Sequence, residues 1–82
     1  MRVVLTPKAT KHFKRLNEPL KSKIRAALKD LENEPPKGDI KPLSGLDEFR
    51  LRVGSYRIIF GIEGDAIIVT SIAPRGQVYK RR

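Results

Sequence analysis

The chain has 82 residues, no cysteine, and 18 lysines and arginines against 9 acidic residues, for a formal net charge of +9. That length makes one domain over residues 1–82; a disulfide framework or thiolate metal site is excluded, and no apolar run approaches the roughly 20 residues that span a bilayer. The start MRVVLTPK is too charged for a signal peptide, so a cytoplasmic protein off the membrane is expected, and its charge calls for a polyanionic or acidic partner.

In chain order, MRVVL reads as a short β-branched strand, Thr6 as an N-cap and Pro7 as the first helical residue. PKATKHFKRL places Ala9, Phe13 and Leu16 on one helical stripe, with Lys8, Lys11 and Lys14 away from it. Asn17-Glu18-Pro19 breaks this helix and starts a second, in which Leu20, Ile24, Ala27, Leu28 and Leu31 form the stripe and Lys21, Arg25 and Lys29 the wet side. Glu34-Pro35-Pro36-Lys37-Gly38 stops it, and the stretch on to Gly45 reads as a loop. FRLRVGSYRIIF then alternates apolar and basic residues about a two-residue Gly-Ser turn. Its last strand, AIIVTSIA, is apolar on both faces, so it is central and its register stays open. The expectation is an α+β domain ordered β-α-α-β-β-β, a helical hairpin packed on an antiparallel sheet.

The Gly54-Ser55 turn sets Val53 against Tyr56, Arg52 against Arg57 and Leu51 against Ile58. Phe49, Leu51, Val53, Tyr56, Ile58 and Phe60 therefore share an apolar face, while Arg50, Arg52 and Arg57 gather on the other. Like charges directly opposite are destabilising by up to about 1 kcal/mol. With Arg75 at the end of the neighbouring strand, these arginines form an anion site suited to bidentate phosphate contacts. From Arg50 onward the only acids are Glu63 and Asp65, in one apparent turn. The usual catalytic devices are absent: there is no cysteine nucleophile, phosphate loop or cluster of metal ligands, and no cofactor is called for. His12, the lone histidine, reads as a surface or packing residue and Tyr56 as core. Tyr79, in the polar tail, could anchor that tail, stack on a base or donate a proton.

The order of elements, the stretch PLSGLDEFRLRVGSYRIIF and the ending IAPRGQVYKR carry a resemblance to the RelE/ParE superfamily of type II toxin–antitoxin toxins, over nearly the whole chain. The resemblance implies a toxin held inactive by a small, acidic, partly disordered antitoxin in a hetero-oligomer. In its RelE-like branch it implies a ribosome-dependent mRNA endonuclease, in which the messenger's 2′-hydroxyl attacks the adjacent phosphate. The family's basic pair falls on Arg50 and Arg52, its Tyr-Arg arginine on Arg57, its late arginine on Arg75 and its tail tyrosine on Tyr79. Some members carry lysines in place of Arg50 and Arg52; arginine does not lose its proton. The base is then Lys41, or Tyr79 as phenolate, or the chemistry rests on positioning and charge alone. Lys8, Lys11, Lys14, Lys21 and Lys29 would touch ribosomal RNA, joined by Lys41, Lys80 and Arg81. The alternative on the same scaffold is a ParE-like, non-enzymatic inhibitor of DNA gyrase; a third class is a non-toxic binding module.

Overall fold

The structure, a computed structural model, describes residues 1–43 and 47–75. Its elements are β1 (Arg2–Leu5), α1 (Pro7–Lys14), α2 (Leu20–Asp30), β2 (Asp39–Pro42), β3 (Glu48–Val53), β4 (Tyr56–Glu63) and β5 (Ala66–Pro74). They build a five-stranded sheet in the order β1-β5-β4-β3-β2 with both helices on one face. The α+β expectation holds, with two differences. The sheet is mixed, because β1 runs parallel to β5 with Val3 opposite Ile67 and Leu5 opposite Val69. The two helices carry the chain from β1 at one edge of the sheet to β2 at the other, and three antiparallel steps then bring β5 in beside β1.

The second difference is β2, within the stretch read as a loop. It pairs antiparallel with β3, setting Asp39 against Arg52, Ile40 against Leu51 and Lys41 against Arg50. Only Ile40 faces the core, and four residues that follow a glycine and end in a proline give no periodicity to recognise. Gly38 makes the entry: its φ of +133° is glycine territory, and a Cβ there would meet Leu51 Cδ1 at 2.5 Å.

Local signals set the helix starts. Thr6 Oγ1 accepts from Ala9 N–H at 3.2 Å, a cap worth about 1 kcal/mol, and Pro7 follows it. Pro19 offers α2 no side-chain cap. Glu18 supplies one, accepting from Ser22 N–H at 3.1 Å and from the Ser22 hydroxyl at 2.6 Å. The Ser22 hydroxyl is the main reason its carboxyl titrates below the ordinary value.

Ala9, Ile24, Leu31, Leu51, Ile58, Phe60, Ile67, Val69 and Ile72 make the buried centre. Phe49 and Phe60, opposite each other, stack with centroids 5.5 Å apart. The hairpin register is the one its turn dictates: Gly54 has φ +58° while Ser55 stays at negative φ, as a Gly-first two-residue turn requires. The open register of β5 is settled by an irregularity. Ile59 pairs Ser71 but Phe60 pairs Val69, leaving Thr70 unopposed. The extra residue shifts the alternation, so Ile67, Val69 and Ile72 all reach the core.

Candidate nucleic-acid interface

The sheet face away from the helices collects the basic residues in rows. Asp39, Arg52, Arg57 and Ala73 are successive cross-strand partners. Lys41, Arg50, Ile59 and Ser71 form the next row. Across a two-residue hairpin, the pair after the hydrogen-bonded Val53–Tyr56 closing pair is the close one, with Cα atoms about 4.5 Å apart. That pair is Arg52 and Arg57, as the alternation required. Ala73, on the far side of Arg57, is the small member of the row. Arg75 joins this end of the sheet because its N–H donates to Ser55 O, in the hairpin turn, at 2.8 Å.

The arginines are not equivalent. Arg52 and Arg75 are exposed, whereas Arg57 is 7% and Arg50 is 6% exposed. Arg50 is engaged by its neighbour strand: Nη1 donates to the Asp39 carbonyl at 2.9 Å and lies 3.4 Å from Asp39 Oδ1. The sequence treated Arg50 as a phosphate ligand equal to Arg52. The fold makes it a clamp on the edge strand β2, because Asp39 lies in a strand that periodicity did not reveal. Asp39 is the acidic member of the row that holds Arg52 and Arg57. Lys41, opposite Arg50, is exposed. Tyr79, Lys80 and Arg81 lie outside the described residues.

The helices carry a second basic surface, set apart from the first by the sheet. Lys8, Lys11, Lys14 and Lys29 are exposed. Lys21 is half-buried, its Nζ 5.5 Å from the Phe13 ring centroid, and the Arg25 guanidinium carbon lies equally near that ring. Both cations can stabilise the α1–α2 packing through the ring face, so Lys21 is less free for an external anion than the other four.

His12 is structural, as its position on α1 suggested, but in a specific way. Its Nδ1 accepts from the Ile72 N–H of β5 at 3.1 Å. An imidazole that accepts at Nδ1 is not the cation. Burial, followed by the charges of Lys8 and Arg15, lowers its pKa from the ordinary 6.5. Among the described residues, no group of three or more His, Asp or Glu side chains could hold a metal ion.

Residues 3–79 match the family described as the ParE toxin of the type II toxin–antitoxin system parDE. The chain belongs to this family. It is a type II toxin–antitoxin toxin of the RelE/ParE superfamily. Toxin RelE3 of Methanocaldococcus jannaschii is 29% identical over 84 residues, covering 96% of each protein. Two solved structures share the fold at a TM-score of 0.77. One is the toxin of the RelB–RelE antitoxin–toxin complex from Methanococcus jannaschii, 25% identical, covering 93% of this chain and 94% of that one. The other belongs to the archaeal RelE–RelB complex from Pyrococcus horikoshii OT3, 27% identical, covering 93% and 96%.

Proposed function

We propose that this toxin cuts mRNA on the ribosome and so inhibits translation. The observation that carries the reading is the meeting of Arg52, Arg57 and Arg75 at the turn end of the sheet. Three arginines brought to one end of the sheet suit a phosphodiester whose charge grows in the transition state. The messenger's own 2′-hydroxyl attacks the adjacent phosphorus, the O2′–P bond forms, the P–O5′ bond breaks, and a 2′,3′-cyclic phosphate remains. Holding that hydroxyl in line can contribute several kcal/mol, and each donor aimed at the developing charge about 3–4 kcal/mol.

In this reading Arg57 and Arg75 grip the scissile phosphate, and exposed Arg52 takes a flanking one. Arg50, held by Asp39, orients β2 and through it Lys41. Lys41 or Tyr79 accepts or relays the 2′-hydroxyl proton, and Tyr79 stacks on a base. The exposed helix lysines Lys8, Lys11, Lys14 and Lys29, with Lys80 and Arg81, contact ribosomal RNA. A cognate antitoxin covers the basic face in a hetero-oligomer, a partner suggested by the antitoxin complexes in which the structural relatives were solved. A +9 surface is matched by an acidic segment that folds on binding.

The family match to a parDE toxin favours a second reading, a non-enzymatic inhibitor of DNA gyrase. Such an inhibitor has no use for arginines converging on a phosphate. Single-turnover mRNA cleavage on programmed ribosomes, run beside a gyrase supercoiling assay, separates the two. Cleavage leaving a 2′,3′-cyclic end is expected; intact mRNA with supercoiling inhibited would transfer the assignment to gyrase.

A further inference from the structure

We infer that His12 is a positioning residue of the arginine face: by capping the Ile72 N–H where β1 has ended, it holds the outer half of β5 and, with it, Arg75. The inference rests on the proposed role of Arg57 and Arg75 at a phosphate.

The need for such a residue follows from strand lengths. β5 spans nine residues and β1 four, so β1 covers β5 only from Ala66 to Val69. Thr6 N–H donates to Val69 O at 3.0 Å, and the chain then leaves the sheet as α1. Beyond Val69, no strand among the described residues flanks that edge of β5. Thr70, the unopposed residue, loosens the other ladder just there. Ile72 faces Ile58 as a pair whose N–H groups point outward, so its N–H is directed at the vacated edge, where the His12 imidazole of α1 receives it at 3.1 Å. A buried N–H left without an acceptor is costly. Two residues later Pro74 has no N–H to give. Arg75 then bonds back to Ser55 at 2.8 Å. His12 is therefore an anchor between the irregularity and the arginine.

The bond requires a neutral imidazole. Lys8 on α1 and Arg15 just after it are the charged groups that press on His12, and both disfavour its cation. Ala66–Pro74 of β5 contributes no ionisable side chain. Arg2 of β1 ion-pairs with Asp65 at 3.7 Å. The anchor is thus formed at neutral pH and released as His12 takes up a proton.

The test uses the full chain, isotopically labelled, as wild type, His12→Asn and His12→Leu. The asparagine side chain can offer an oxygen near the place of Nδ1 and does not titrate; leucine offers no acceptor. In wild type the Ile72 amide resonance should move with the His12 titration, at a midpoint below 6.5. In His12→Asn the Ile72 amide should stay protected and lose its pH dependence. In His12→Leu the amides of Ile72 and Arg75 should both exchange about tenfold faster or more. Cleavage by His12→Leu should slow by a similar factor at unchanged ribosome affinity, and His12→Asn should restore most of it. An Ile72 amide blind to the His12 titration would overturn the proposal. So would a His12→Leu protein with unaltered Arg75 exchange and full cleavage. Should His12→Leu fail to fold, the wild-type titration and the His12→Asn rescue decide. If wild type cleaves no mRNA, the nuclease assignment falls while the two amides still judge the anchor.

Discussion

Arg52 and Arg57 face each other across the β3–β4 ladder, one exposed to solvent and the other 7% exposed. Their charges repel at the closest kind of cross-strand spacing, and their burial gives them different work. Arg52→Ala should leave the melting temperature level or raise stability by a few tenths of a kcal/mol. Arg57→Ala removes a buried stem and should cost about 1 kcal/mol by urea denaturation. In single-turnover cleavage on programmed ribosomes, Arg57→Ala and Arg75→Ala should each fall by roughly a hundredfold or more. Arg57→Lys should recover only part, since a point charge does not reproduce a bidentate fork. Full cleavage by both alanine variants would remove the enzyme assignment.

The Arg50–Asp39 clamp predicts an asymmetry between its partners. Asp39 is half exposed, so Asp39→Asn should cost no more than about 1 kcal/mol. Arg50 is buried and also bonds the Asp39 carbonyl. Arg50→Ala should therefore cost about 2 kcal/mol in urea unfolding, with faster amide exchange confined to β2. Equal costs for the two variants, or protection in β2 unchanged by Arg50→Ala, would contradict the clamp.

Helix lysines and sheet arginines should separate by salt dependence. Affinity for single-stranded RNA should fall with rising salt at a slope of about −0.7 per phosphate neutralised. Lys11→Ala and Lys29→Ala should each flatten that slope for ribosome binding while leaving the cleavage rate at saturation unchanged. Lys21→Ala should flatten it less, and should instead lower stability by about 0.5–1 kcal/mol through the lost contact with Phe13. A binding constant insensitive to salt would refute the electrostatic account.

His12 gives stability a pH dependence of known sign. Its folded-state pKa lies below the ordinary 6.5 of the unfolded chain, so the unfolded state binds the proton more readily. The contribution is complete above pH 6.5 and is lost as pH falls through the lower folded value. Wild type should lose melting temperature in that window, whereas His12→Asn should lose less. Parallel curves for the two proteins would show that His12 contributes nothing to the dependence.

Several features of this toxin could be read from residues alone, because the forces that create them act over a few positions. Thr6-Pro7 starts α1, the apolar stripes of both helices find the core, and Gly54-Ser55 makes the turn that pairs Arg52 with Arg57. Alternation with period two then decides which side chains share a face, and two arginines opposite each other follow without knowledge of the rest of the sheet. The family resemblance rested on the same local stretches, and the match over residues 3–79 bears it out.

Burial and the partners of individual side chains came only from the folded chain. Nothing near Arg50 in sequence announces that Asp39, eleven residues earlier, closes the edge of its sheet and takes up its charge. Four residues of β2 are too few for a pattern, and they become a strand because β3 offers them a ladder. β5 is ambiguous in sequence because both its faces are apolar; the unopposed Thr70 resolves it by switching faces midway, a choice made by the register of β4. His12 lies sixty residues from the Ile72 N–H that it caps. A lone histidine on a lysine-rich helix carries no sign of that bond, because the donor is left unpaired only where β1 ends before β5 does. Local sequence determined which faces are apolar and where the turns fall; the meeting of strand ends distant in the chain decided which charges are buried, which are answered, and which stay free to meet an anion.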